Sequence, residues 1–118
     1  MANPRAKGNR TVRKVIELYQ SRNWLVDKVE KTGKFVVNKD LYSEYCDGFD
    51  LIGIRNNEVV LIQVKTNKPP TQASYKEFAI KYAGSNLLIQ AATWYDNKGF
   101  VIHTFFSDGS VTTEDLRT

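Results

Sequence analysis

A chain of 118 residues and 13.5 kDa has the size of one domain and is too short for two substantial cores. Its 42% hydrophobic and 25% charged residues, with a mean hydropathy of -0.43, exclude a disordered chain. The longest apolar run, Val59 to Ile62, is too short for a membrane span or the apolar core of a secretion signal.

Cys46 and His103 are the single cysteine and the single histidine, so no internal disulfide forms and no zinc site of the usual Cys/His type is expected. A soluble, cytoplasmic protein is the expectation. The formal net charge of +4 is unevenly spread. Residues 1–39 hold ten Lys and Arg against three acids, giving +7, and residues 40–118 sum to -3. Counterion release rewards a basic surface laid along a polyanion, so the basic front points to nucleic-acid contact beside a more acidic, cation-binding centre. The plainer alternative is a solvated helix face with a basic arm.

In chain order, residues 1–9 contain Pro4, Gly8 and basic residues without apolar periodicity, and read as a flexible basic N-terminal arm. Val12, Val15, Ile16 and Tyr19 follow helical spacing and predict an amphipathic helix over 10–22. Alternation over Trp24 to Val29 predicts a strand. Residues 30–46, with Thr32-Gly33 and the tyrosines Tyr42 and Tyr45, read as a long, partly ordered loop. Phe49 to Ile54 and Val59 to Lys65 are β-rich runs separated by Arg55-Asn56-Asn57-Glu58, a hairpin signal because Asn tolerates positive φ. Both faces of the second run begin apolar, which predicts a central strand. Pro69-Pro70 breaks the chain, Thr71 is a candidate N-cap, and Tyr75, Phe78, Ala79 and Tyr82 predict a second helix over 72–83. Asn86 to Trp94 and Phe100 to Phe106 form a second hairpin, in which Trp94, Phe100, Phe105 and Phe106 are expected in the core. Residues 107–118 read as a polar tail. The order implies one α/β domain over 10–106, built on a mixed sheet flanked by helices.

Three polar residues interrupt the first hairpin: Asp50 at its start, Gln63 and Lys65 at its end. Residues i and i+2 of a strand point the same way, about 7 Å apart, so Gln63 and Lys65 share the side on which a neighbouring strand can present Asp50. A carboxylate, a carboxamide oxygen and the Val64 carbonyl are hard oxygen donors of the kind Mg²⁺ accepts, and Mg²⁺ keeps several waters and so needs few protein ligands. Lys65 beside such an ion would orient or help deprotonate an attacking water and neutralise charge growing on a phosphate. The chemistry is phosphodiester hydrolysis. The alternative is that Asp50 merely edges a strand whose polar end frays into solvent. His103 alone on a strand reads as structural. Lys7, Arg10, Arg13 and Lys14 are placed to grip a nucleic-acid backbone, with Lys68, Lys76 and Lys81 as a second set. Tyr42 and Tyr45 could stack on bases of an opened strand or cover the sheet.

An Asp followed across a hairpin by Gln-Val-Lys, then a loop and a helix, with a basic helix ahead of all of it, resembles the PD-(D/E)XK nuclease superfamily from Lys7 to Phe106. The resemblance implies a restriction-endonuclease-like αβββαβ core. The front half is similar to the archaeal Holliday junction resolvases, with Lys7-Gly8 leading into a basic helix closed by Trp24. Gln63-Val64-Lys65 and the paired acids of Asp47-Gly48-Phe49-Asp50 are more similar to the Mrr-type restriction endonucleases, in which Gln replaces the usual Glu. The resemblance makes Asp50 the metal-binding Asp, Gln63 the stand-in for the Glu, and Lys65 the catalytic Lys. It implies a Mg²⁺- or Mn²⁺-dependent DNA endonuclease acting on duplex or branched DNA as a homodimer.

This sequence departs from that pattern in three places. Phe49 stands where the motif has Pro. Gln63 brings no negative charge, which Asp47 or Glu17 would have to supply. The first-helix Glu of the resolvases falls on Val12, and Glu17, five residues on, points about 140° away. The competing reading is therefore a nuclease-fold DNA-binding module without catalysis, and an RNA-directed protein is a third.

Overall fold

The computed structural model describes the backbone of residues 4–29 and 49–118, with side chains described from Arg10 onward. Helix α1 spans Pro4–Ser21. It begins six residues before the expected start, so the segment expected as a flexible arm is helical from Pro4. A proline suits a first helical turn because its φ is preset and its missing N–H would be unpaired there anyway. The helix ends in a left-handed residue, Asn23, at φ 70°. There the N–H groups of Asn23 and Trp24 donate to the carbonyls of Gln20 and Tyr19 at 3.0 and 3.1 Å. That paired closure turns the chain sharply into the sheet.

Strands β1 (Leu25–Lys28), β2 (Leu51–Arg55) and β3 (Glu58–Thr66) precede helix α2 (Gln72–Tyr82), and β4 (Leu87–Tyr95), β5 (Gly99–Phe105) and β6 (Val111–Asp115) follow it. They form one six-stranded sheet in sequential order, β1-β2-β3-β4-β5-β6. Every neighbouring pair is antiparallel except β3 and β4, which α2 joins as a parallel crossover. The β2–β3 turn uses Asn56 at φ 53°, as the Asn-Asn pair predicts. At the end of the β4–β5 turn Gly99 has φ 128°, and a Cβ there would sit 2.9 Å from the Leu116 carbonyl oxygen, so the position requires glycine.

The sheet is covered on both faces. On one, α1 packs Val15 and Tyr19 against Trp24, Leu51, Val60, Ile62, Ala92 and Ile102. On the other, Tyr75, Phe78 and Ala79 of α2 pack against Phe49, Ile89, Ala91 and Phe105. The architecture is the expected α/β type with a mixed sheet between helices. Thr71 stands at the α2 N-cap with extended backbone but makes no side-chain capping bond.

Two further expectations are corrected. Residues 107–118 are not merely a polar tail, because Val111–Asp115 pairs antiparallel with β5. Edge pairing uses backbone groups and asks little of the side chains, so the strand left no apolar signature. Phe106 is outside the core and exposed, because the chain leaves β5 there and its N–H bonds the Ser110 carbonyl in the turn. Among the described residues no helix is long and apolar enough to cross a membrane.

Candidate metal and phosphate site

The site arises where one strand outruns its neighbour. The β2–β3 pairing stops at Leu51↔Ile62, whereas β3 continues to pair with β4 through Gln63↔Ala91, Val64↔Ala92, Lys65↔Thr93 and Thr66↔Trp94. The N–H and C=O of one strand residue point to the same side, so the Val64 peptide groups face the space beyond the start of β2. Asp50 fills it. Its carboxylate Oδ2 accepts the Val64 N–H at 2.9 Å, and the Gln63 Nε2 donates to the Val64 carbonyl at 3.2 Å. The acid and the amide thus meet on the backbone of one residue, Val64, the acid at its N–H and the amide at its carbonyl.

Asp50 is held from three directions. Its N–H donates to the Ile62 carbonyl at 2.8 Å and its carbonyl accepts the Val29 N–H at 2.9 Å, tying it to strands on both sides. Phe49, next to it, is buried and packs its ring 5.2 Å from Phe78 and 5.8 Å from Tyr75. Phe49 thus anchors the backbone next to Asp50 through aromatic contacts with α2. Gln63 is almost fully buried, and its Oε1 has no hydrogen-bond partner among the described residues. Lys65, partly buried, follows on the same face.

An unpaired buried oxygen beside a strand carbonyl and a carboxylate fits a hard divalent cation, because a buried acceptor without a partner is costly and a cation would satisfy it. Asp50, Gln63 Oε1 and the Val64 carbonyl are the groups that would hold it. Among the described residues there is no cluster of three His, Cys, Asp or Glu side chains, so the donor set carries one carboxylate. Asp47 lies outside the described residues, as do Tyr42 and Tyr45.

The basic residues of α1 reach the same end of the sheet from the opposite face. Thr66 donates its hydroxyl to Thr11 of α1 at 3.0 Å, and the Lys14 ammonium lies 4.5 Å from the centroid of the Trp94 ring. Arg10, Arg13 and Lys14 are exposed. Val64 packs toward α1, so by strand alternation Gln63 and Lys65 face α2. The α1 cations and Lys65 therefore flank the sheet end from two sides. Lys7 is in the helical backbone, with its side chain outside the described residues. Glu17 is exposed, two residues from buried Val15, and is directed away from the sheet.

Two features of this region are invisible to motif reasoning. Asn67, at φ 59°, donates its Nδ2 to Asp96 Oδ2 and accepts the Asp96 N–H, both at 2.9 Å. Trp94 donates its indole N–H to the other Asp96 oxygen at 3.2 Å. This clip fixes the exit of β3 against the β4–β5 turn. The second feature is a row of polar residues across the sheet. Gln63 pairs with Ala91, and Ala91 pairs with His103. Thr93 Oγ1 and His103 Nδ1 join Gln63 Oε1 as buried polar atoms without partners among the described residues. Burial holds the His103 pKa below its ordinary value.

No family model matches the sequence, and no curated protein matches it. Among solved structures, the chain is similar to Hjc from Archaeoglobus fulgidus, a Holliday junction resolvase from an archaeal hyperthermophile, with a TM-score of 0.55 and 15% sequence identity. The alignment covers 92% of this chain and 88% of that one. At that identity the likeness concerns the fold: a mixed sheet with flanking helices.

Proposed function

We propose that this protein is a Mg²⁺- or Mn²⁺-dependent DNA endonuclease of the PD-(D/E)XK type, acting on duplex or branched DNA, with Holliday junctions as the most specific substrate class. One observation carries the reading: the Asp50 carboxylate and the Gln63 amide converge on the backbone N–H and carbonyl of Val64. The shared fold with a resolvase supports it. A divalent ion held by Asp50, Gln63 and the Val64 carbonyl would polarise a phosphoryl oxygen and supply a nucleophilic water. Lys65 places its positive charge beside the scissile phosphate, orients the water and offsets the charge that develops there. Lys7, Arg10, Arg13 and Lys14 contact the phosphate backbone. Each chain contributes one such site, so cutting two strands calls for a homodimer.

The second reading is a catalytically inactive DNA-binding module, favoured by the single carboxylate among the described donors. Incubating duplex, forked and four-way-junction DNA with the protein in Mg²⁺ and in Mn²⁺ separates the two. Nicking by wild type, lost in Asp50→Asn and Lys65→Ala while junction binding persists, supports the nuclease. Binding without cutting of any DNA form, in either metal, leaves the module. Preference for RNA in a competition assay would overturn both.

A further inference from the structure

The two edges of the sheet are finished differently. At the β1 edge the Val29 N–H bonds Asp50 of β2, and because peptide direction alternates along a strand, the N–H and C=O of Val26 and Lys28 point outward. The Asp27 carboxylate accepts the outward Lys28 N–H at 2.8 Å and blunts that edge. At the β6 edge the Leu116 N–H donates to the Phe100 carbonyl and the Ser110 carbonyl accepts the Phe106 N–H. Alternation between those two points turns the peptide groups of Thr112 and Glu114 toward β5 and those of Val111, Thr113 and Asp115 outward. Among the described residues no strand lies beyond them. The run carries no proline and no lysine and pairs with β5 without a bulge, so it lacks the usual protections of an edge.

We infer that β6 is the homodimer interface, where two copies of this chain join their sheets edge to edge by antiparallel pairing. The choice of a second copy as occupant rests on the homodimer that the nuclease reading calls for, and on the self-complementarity of the run. A two-fold axis at Thr113 sets Thr113 opposite the partner's Thr113, Val111 opposite the partner's Asp115, and Thr112 opposite the partner's Glu114. Every outward peptide group is then paired, since facing residues of this kind exchange two hydrogen bonds. No like charges oppose one another. Arg117 falls opposite the partner's Gly109, one position from the partner's Asp108, so opposite charges neighbour each other at both ends. Moving the axis to Thr112 would leave Asp115 beside the Gly109 turn, and moving it to Glu114 would set two carboxylates face to face. The axis stands perpendicular to the sheet, so the α1 faces of both copies lie on one side. Gln63, Ala91, His103 and Thr113 are successive partners across β3 to β6. The two Gln63 backbones therefore share one row, seven strand spacings or about 34 Å apart, with the two candidate sites directed to opposite ends of the joined sheet.

The test needs neither metal nor DNA, so its failure and that of the nuclease reading are told apart. Analytical ultracentrifugation of the wild type is expected to show a dimer. Thr113→Pro removes the outward N–H groups of the central pair and spares the bonds to β5, which use Thr112 and Glu114; it is expected to raise the dimer dissociation constant roughly tenfold or more. Thr113→Lys changes only an exposed side chain and sets two cations face to face on the axis. It is expected to weaken the dimer by a similar factor at low salt, and it decides the matter if the proline variant does not fold. In a Cys46→Ser background, Thr113→Cys is expected to cross-link on mild oxidation, its Cα atoms being about 5.5 Å apart. Thr112→Cys, set diagonally at about 8 Å, is expected not to. A wild-type monomer, a dimer that neither variant weakens, or cross-linking no better at 113 than at 112 overturns the inference. Metal-dependent DNA cleavage by such a protein would leave the nuclease reading standing.

Discussion

The Asp50 carboxylate accepts the backbone N–H of Val64 across the end of the hairpin at 2.9 Å, so the residue that would bind a cation also closes the sheet ladder. Structure and chemistry are separable here by substitution. Asn keeps an acceptor oxygen in the same position, whereas Ala leaves the Val64 N–H unpaired in a partly buried place. Asp50→Asn is expected to retain stability within about 0.5 kcal/mol and Asp50→Ala to lose about 1 kcal/mol, read from urea unfolding. Both are expected to lose cleavage in Mg²⁺. Equal stability of the two variants would show that the bond contributes nothing to the fold.

Gly53 lies in β2 beneath Trp24, where an added Cβ would come 2.8 Å from Val60 Cγ1 and 3.4 Å from Trp24 Cε3. Val60 is wholly buried and has little room to give. Trp24 is also held from outside by the Arg55 guanidinium, 4.2 Å from its ring. Gly53→Ala is expected to destabilise the domain by about 1–3 kcal/mol through overpacking, measured by denaturant midpoint. An unchanged midpoint would mean that the α1 face of the sheet is more loosely packed than the structure has it.

Arg22, just past the end of α1, forms a two-pronged ion pair with Glu114 on β6, with N–O distances of 2.7 and 3.1 Å. The hydrogen bonds from Arg22 hold the Glu114 carboxyl below the usual carboxylate range. A carboxyl with a lowered folded-state pKa contributes stability above its unfolded value of 4.5 and loses it as pH falls through the folded value. Both side chains are substantially exposed, so the gain stays under about 1 kcal/mol. Glu114→Gln is expected to be less stable than wild type at pH 7, with the difference closing below about pH 4.5. A difference that persists at pH 3 would assign the effect to packing instead of charge.

The exposed cations on α1 predict a salt dependence. Each phosphate neutralised contributes a slope of about -0.9 in the plot of log affinity against log salt for duplex DNA. Replacing Arg10, Arg13 and Lys14 together by Ala is expected to weaken duplex binding and flatten that slope by about two to three units. Fluorescence anisotropy across a salt series measures it. An unaltered slope would move the DNA contact away from this helix face.

Local patterns carried much of the fold. Helical spacing of Val12, Val15, Ile16 and Tyr19 located α1, Asn56-Asn57 located the first hairpin, and Pro69-Pro70 marked the break before α2. The candidate site was legible through Asp50, Gln63 and Lys65 because a polar residue in an apolar strand is conspicuous. The start of α1 was missed because Pro4 and Gly8 obscure a helix whose first turns lack apolar spacing. β6 was missed because an edge strand held by backbone bonds needs no apolar stripe.

The sequence by itself determined which segments coil and which extend, since those preferences act between residues a few positions apart. It also displayed the polar residues that an apolar hairpin does not need. Only the tertiary structure decided that β3 outruns β2 at Val64, that α1 and Lys65 lie on opposite faces of the sheet, and that His103 stands across Ala91 from Gln63. Strand register and side are set by the packing of α1 and α2 onto the sheet, and that packing joins residues whose separation along the chain leaves no local trace.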